Sequence, residues 1–368
     1  MNNVSAVYVH IPFCVKKCPY CSFAVAVNQN NRQEEYLTAL EKEAGRYSGK
    51  ISTLYIGGGT PSCLSSSGIE RLMSILKRSF DFRPGAEITI EVNPESISPD
   101  KARILKVAGV NRVSMGVQSL NNGILELLGR PHRRQDVLDA FNLLRSAGFD
   151  NINLDFIYGL PGQAVSEVIN DLEQLLLLGS EHCSLYALNV EPKSLFYARR
   201  MEVDQDAQGE LYAGMVRRMA AAGVIQYEVS NFARPGYESR HNINTWEGGE
   251  YIGLGMAAHS HAAGERFWNA DTLPDYLTRM RESGSARTGG ERLPAEDKLT
   301  EVFLFGLRMN KGVDLEELEK KAGVRLSDAK KEMIESFIEM RLLKEYNGRV
   351  CATPRGVLLL DEISARII

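Results

Sequence analysis

Over roughly the first 232 residues, short apolar runs alternate with longer stretches whose apolar residues recur every three or four positions. The runs 6–10, 53–57, 87–93, 112–118, 151–158, 183–189 and 226–230 are rich in β-branched and aromatic residues and predict strands. Between them, 33–47, 68–80, 99–108, 135–147, 166–178 and 206–222 keep one apolar face at helical spacing and predict amphipathic helices. Strand, helix and strand in regular succession require parallel pairing with right-handed crossovers. The expected fold is therefore α/β, either an open doubly wound sheet or a full or partial β/α barrel. Both architectures hold ligands at the carboxyl ends of their strands. The unusual residues of this chain gather there: Gly57-Gly58-Gly59-Thr60-Pro61, Glu91-Val92-Asn93-Pro94, Gln118-Ser119 and the stretch from Asp155 to Gly162 each end or follow a predicted strand.

Residues 233–293 break the alternation with a Gly- and aromatic-rich stretch that predicts irregular structure across the barrel mouth or bottom. From Pro294 the pattern is helical again over 296–309, 314–322 and 326–340. A short strand pair at 343–352 and a last helix from 354 follow. Three helices and a two-stranded wing predict a small winged-helix-like domain, giving the expected organisation 1–232, 233–293 and 294–368. No internal repeat beyond the βα unit and no low-complexity tract is visible.

Composition narrows the function class. Hydrophobic residues make up 44% and charged residues 24% of the chain, ordinary globular usage without a disorder bias. Lys and Arg total 43 against 47 Asp and Glu, a net charge of −4, which argues against nucleic acid as a partner because phosphate neutralisation needs a dense basic face. In the helix 326–340, Lys330 and Lys331, with Arg341 just beyond, are offset by Asp328, Glu332, Glu335 and Glu339, which suits a lid or packing domain. The cluster Arg130, His132, Arg133 and Arg134 reads as a solvated helix start or a set of ligand contacts. No run of eighteen apolar residues and no secretion signal are present, so the expected location is the cytoplasm.

Three of the six cysteines, Cys14, Cys18 and Cys21, fall in one loop directly after the first predicted strand. Such clustering favours metal or redox chemistry over a disulfide framework. Three thiolates suit an iron–sulfur cluster with one open iron. Structural zinc wants four ligands and would have to recruit His10, making a zinc-stabilised binding module the rival of another class. Cys63, Cys183 and Cys351 are scattered and read as small buried hydrophobes. The glycine run is not a phosphate loop, since no Lys-Ser/Thr follows, but residues without Cβ let a ligand approach the backbone.

The spacing C-x3-C-x2-C after the first strand of a βα array resembles the radical S-adenosylmethionine (radical SAM) enzymes. The resemblance implies a partial (β/α)6-type radical SAM barrel and a [4Fe-4S] cluster on Cys14, Cys18 and Cys21. It also implies S-adenosylmethionine chelated through its methionine amino and carboxylate groups. Tyr8-Val-His-Ile-Pro-Phe-Cys14, the Gly-Gly-Gly-Thr-Pro-Ser turn, Glu91-Val-Asn-Pro, Gly116-Val-Gln-Ser, Arg130 and Asn153-Leu-Asp155 are similar to the coproporphyrinogen-dehydrogenase-like branch, the HemN/HemW group, through most of the chain. By that match Tyr8 and Tyr20 flank the cluster and cofactor, while Gly58, Gly59 and Thr60 hold the methionine end. Glu91, Gln118, Arg130 and Asp155 complete the polar shell. Taken singly, Glu91 and Asp155 are equally compatible with capping the next helix, and Arg130 with a surface cation.

Within that group the porphyrinogen dehydrogenases carry a fourth cysteine two residues after the third, where this chain has Phe23, and a longer N-terminal extension, where only thirteen residues precede Cys14. Both features resemble the haem chaperones of the group. That match implies haem as ligand, acceptor haem proteins of the respiratory chain as partners, an electron donor for the cluster, and contact with a membrane only through partners. It leaves open whether the chain is an enzyme or a homodimer. Coproporphyrinogen III dehydrogenase or a radical SAM methyltransferase is the enzymatic rival. The chaperones also carry His-Asn-x-x-Tyr-Trp, here His241-Asn242-Ile243-Asn244-Thr245-Trp246 with Thr245 in place of Tyr. His241 is the expected haem-iron ligand, with His259 and His261 in reserve.

Overall fold

A computed structural model describes residues 4–368 of the chain. Six strands pair in parallel in chain order: β1 (Ala6–Ile11), β2 (Lys50–Gly58), β3 (Asp81–Val92), β4 (Arg112–Gln118), β5 (Ile152–Tyr158) and β6 (His182–Ala187). The helices α1 (Gln33–Ala44), α2 (Ser66–Ser79), α3 (Pro99–Val107), α4 (Arg134–Ser146) and α5 (Val165–Leu178) lie in the crossovers between them. This is the expected partial (β/α)6 barrel. β4 and β5 are buried almost throughout, so the polar residues that alternate with their apolar ones, Ser114 and Asn153 among them, are buried inside the barrel as well. Helix starts are fixed locally: Ser65 caps α2 by accepting from the Gly68 amide, and Ser98 caps α3 by accepting from the Lys101 amide.

The structure departs from the sequence reading at one predicted strand and across the segment 233–293, which the sequence predicts to be irregular. The predicted strand 226–230 is instead two short antiparallel pieces, Ile225–Gln226 and Asn231–Ala233, separated by a turn. A seventh parallel strand, β7 (Ile252–Leu254), adds to the free side of β1 with Val7 opposite Ile252. It lies inside the segment read as irregular. Gly253 masks it, yet glycine is required there, because a Cβ would meet the His259 carbonyl oxygen at 2.0 Å. An antiparallel sheet of β8 (His259–Ala262), β9 (Glu265–Asn269) and β10 (Arg287–Glu291) follows.

The chain folds as two compact units, one reaching to Leu211 and taking up Glu250–Glu291 as well, the other made of Tyr212–Gly249 and Arg292–Ile368, so that 233–293 is shared between them. In the first unit Glu43 of α1 is buried and accepts from the Gly255 amide at 2.8 Å, Asn269 Nδ2 at 2.6 Å and the Tyr276 hydroxyl at 2.8 Å. Beside it the Tyr36 hydroxyl donates to the His10 carbonyl and accepts from the Met256 amide. Burial, opposed by these donors, lifts the Glu43 carboxyl to about 7.

The second unit packs Phe303, Leu307, Ile334, Phe337, Ile363 and Ile367 into its own core, beneath the hairpin Leu343–Tyr346 and Arg349–Ala352. Its helix Asp328–Glu339 uses its basic residues internally: Lys330 donates to Thr300 and Lys331 pairs with Glu319 at 3.0 Å. No helix among the described residues is long and apolar enough to cross a membrane.

Candidate functional site

The carboxyl ends of the parallel strands enclose a cavity of about 440 Å³, and Cys14, Cys18 and Cys21 stand in its wall. Cys14 is held deepest. Its loop is tied back by Phe13–Cys14 pairing with Ala26–Val27, while Cys18 and Cys21 close a turn through the Cys21 amide and the Cys18 carbonyl. Thr60 Oγ1 accepts from Asn93 Nδ2 at 3.1 Å and shares a hydrogen bond with the Cys14 sulfur at 3.5 Å. Burial pushes the Cys14 thiol up to about 11 against that hydrogen bond.

His10 stands apart from this set. Its Nε2 donates to the Ala24 carbonyl at 2.9 Å, so the proton sits on Nε2 and Nδ1 accepts from the Tyr8 hydroxyl at 3.1 Å. Both ring nitrogens are engaged, and burial lowers the ring to about 4. The fourth ligand a zinc site would recruit is thus committed elsewhere. Among the described residues, no three His, Cys, Asp or Glu side chains gather closely enough to hold a single metal ion.

The glycine turn leaves no room for side chains. A Cβ on Gly59 would meet the Pro12 carbonyl oxygen at 2.7 Å and Cys14 Sγ at 3.0 Å, and Gly58 has φ +115°. Bare backbone therefore faces the cavity beside the cysteine loop. Glu91, at the end of β3, accepts from the Gly58 amide at 3.1 Å and the Tyr55 hydroxyl at 2.9 Å. Burial first, then the nearby Asp155, raises its carboxyl to about 7. Asp155 on β5 accepts from Ser114 Oγ and Asn153 Nδ2, both at 2.9 Å, and burial raises it as well. Neither carboxylate caps a helix.

Gln118 ends β4 with φ +66°, a left-handed conformation uncommon for a side chain of this kind. Arg130 reaches back over the same strand end, donating to the Gly116 carbonyl at 3.1 Å and to Cys18 Sγ at 3.6 Å. Although burial disfavours its charge, Tyr20, Cys18 and Glu95 hold its pKa above the usual arginine value. The basic cluster is accordingly split, with Arg130 in the cavity wall, His132 buried against Glu95 and Val117, and Arg133 and Arg134 exposed at the start of α4.

Tyr20, Gly58, Gly59, Thr60, Glu91, Gln118, Arg130 and Asp155 thus share one wall with the three cysteines. Tyr8 does not line it; its ring stacks on Tyr55, which does. Sequence reasoning overlooked Tyr55, which the β2 pattern presents as an ordinary strand residue. It also misplaced Cys63, which is half-buried in the cavity wall rather than in the core, whereas Cys183 and Cys351 are buried. His241 lies in the second unit, on the helix Arg240–Trp246, and is 7% exposed.

The donor set suits the chemistry this arrangement invites. The three thiols of the loop fit a cluster that keeps one iron open, and a side-chain-free turn beside acceptors and a guanidinium fits a ligand bearing an ammonium, a carboxylate and hydroxyls. Comparison with known proteins agrees. The model of the radical SAM superfamily matches residues 8–175, and that of the HemN C-terminal domain matches 293–359. The haem chaperone HemW of Bacillus subtilis is 36% identical, over 98% of this chain and 98% of its own. That of Lactococcus lactis is 34% identical, over 100% and 98%. Coproporphyrinogen III oxidase (HemN) from Escherichia coli, a radical SAM enzyme, superposes with a TM-score of 0.87 at 27% identity, covering 100% of this chain and 90% of that one. Sharing a third of its residues with chaperones matched from end to end, the chain belongs to the HemW haem-chaperone family of the radical SAM superfamily.

Proposed function

We propose that this protein binds haem and passes it to acceptor haem proteins, with a [4Fe-4S] cluster on Cys14, Cys18 and Cys21 and S-adenosylmethionine in the cavity beside it. The observation that carries the reading is the near full-length match to haem chaperones. Phe23 supports it: 65% exposed at the cavity, it offers no thiol where the porphyrinogen dehydrogenases have their fourth cysteine. A bound cluster supplies one-electron reducing power and an open iron position. The chain's own residues do the rest. Gly58, Gly59 and Thr60 seat the methionine end, Glu91 supplies negative charge next to that turn, and Arg130 supplies positive charge next to Cys18. Gln118 and Asp155 offer hydrogen bonds to the remaining hydroxyls, while Tyr8 and Tyr20 back the wall. The protein works in the cytoplasm, draws on an electron donor, serves respiratory haem proteins, and meets the membrane only through them.

Titrating haem into anaerobically reconstituted protein is expected to give a saturable one-to-one Soret change, followed by loss of haem to an added apo-haem protein. Absence of saturable binding, together with 5′-deoxyadenosine formed in step with a modified porphyrinogen, would replace this reading with the dehydrogenase.

A second expectation concerns pH. Because Glu91 holds its proton up to about 7, S-adenosylmethionine should bind more tightly as pH rises through that value. The limiting gain is about tenfold per pH unit below the carboxyl's pKa, until the ligand's own ammonium deprotonates near pH ~8. Equilibrium dialysis of the cluster-loaded protein between acid and neutral pH checks this. Glu91→Gln should flatten the profile, and an unchanged slope in that variant would remove Glu91 from the site.

A further inference from the structure

The antiparallel sheet β8–β9–β10 carries an arrangement that the cluster site does not use. Its register sets His259 opposite Trp268 and His261 opposite Arg266. Ser260 and Ala262 are buried, so alternation turns His259 and His261 to the other face together with their cross-strand partners. His259 is exposed, and its ring stacks on the Trp268 indole with centroids 5.7 Å apart and planes 28° from parallel. Gly289 of β10 is what admits the indole, since a Cβ there would lie 2.6 Å from the ring. Arg266, paired with Glu291 at 2.9 Å, sets a guanidinium on the same face. Tyr251 is bridged to His261 and extends the row.

We infer that this face seats haem, with His259 as the iron ligand; the inference rests on the haem-carrying reading above. An iron ligand must present a ring nitrogen to a large planar molecule. His259 is exposed, whereas His241 is 7% exposed on its helix. In an axial bond the imidazole stands perpendicular to the porphyrin. An indole stacked on the imidazole therefore holds it upright and meets the porphyrin with its edge, the edge-to-face contact aromatic rings prefer. The guanidinium of Arg266, shared with Glu291, is the cation this face would offer a propionate. The histidine, the stacked indole and the cation come from two adjacent strands of one sheet, so no rearrangement of the backbone is required to bring them together.

The experiment is a haemin titration of the full-length, cluster-loaded protein, ferric and dithionite-reduced, followed in the Soret region and by low-spin electron paramagnetic resonance. Wild type is compared with His259→Gly and His241→Ala, and cluster absorbance and far-ultraviolet circular dichroism confirm that each variant is folded. His259→Gly should lose the histidine-ligated spectrum and weaken binding by at least the roughly 10- to 100-fold that loss of even an outer-shell partner costs. Added imidazole should restore the spectrum, which a merely structural residue would not allow. Trp268→Leu should broaden the low-spin signal while leaving the iron ligated. Retention of the histidine-ligated spectrum in His259→Gly, with its loss in His241→Ala, would overturn the assignment and leave haem carriage intact. Failure of wild type itself to bind saturably would overturn haem carriage, and this site with it.

Discussion

Cys18→Ala is expected to yield a folded, colourless protein. With one of three thiolates gone, two ligands cannot retain a cluster whose fourth iron already lacks a protein ligand, so iron and acid-labile sulfide after anaerobic reconstitution should fall to background. Visible absorbance should vanish with them. The loss should be local: Cys18 sits in the cavity wall, half-buried, and its partners are the Arg130 guanidinium and the turn to Cys21. Far-ultraviolet circular dichroism should therefore match wild type. Cys63→Ala is the informative companion, because Cys63 lines the same cavity outside the C-x3-C-x2-C loop. It should keep its full iron content. A Cys18→Ala protein that still reconstitutes brown would show that the ligand set is drawn wrongly, with Cys63 as the first substitute to test. One zinc per chain in wild type, and no colour, would point to the binding-module alternative.

The largest stability effect is expected at Glu43. Glu43→Ala strips the acceptor from the Gly255 amide, Asn269 and Tyr276 inside the core, which should cost about 3 kcal/mol at pH 5. The pH dependence has a definite sign. With its carboxyl raised to about 7 from 4.5, the folded protein holds a proton that the unfolded chain releases, so wild-type stability is greatest on the acid side of this window and falls as pH rises through it. The alanine variant lacks that slope. The deficit should accordingly be widest near pH 5 and narrow toward pH 7, while the similar contribution of Glu91 cancels in the difference. Urea unfolding at several pH values measures it, and a deficit that grows with pH would show that Glu43 is not protonated in the folded state.

Much of this molecule was legible in its sequence because the physics was local. The helical period and β-rich runs marked seven strands, six of which pair in parallel, while leaving the order of the sheet open, and a cysteine loop directly after β1 could only open at the carboxyl ends. What stayed hidden depended on distant partners. β7 is three residues long with a glycine in the middle, a composition that looks like a turn until β8 is known to cross it. Cys63 looked like filler because its distance from Cys14 in the chain says nothing of the strand ends that bring both to one cavity. The protonation states of Glu43, Glu91 and His10 follow from burial and partners, neither of which a spacing reveals.

The bond between Glu43 and Tyr276 spans 233 residues of chain, and β1 acquires its neighbour β7 from the same late region. For a chain made from its N-terminus this sets an order of events. The cysteine loop is synthesised well before β7, so one flank of the strand that carries it stays unpaired until Ile252–Leu254 has left the ribosome, and contacts of such long range are slow to form. During that interval three thiols stand on an incomplete scaffold. A chain cut before β7 would therefore expose the edge of β1, an open row of backbone groups ready to pair with another chain.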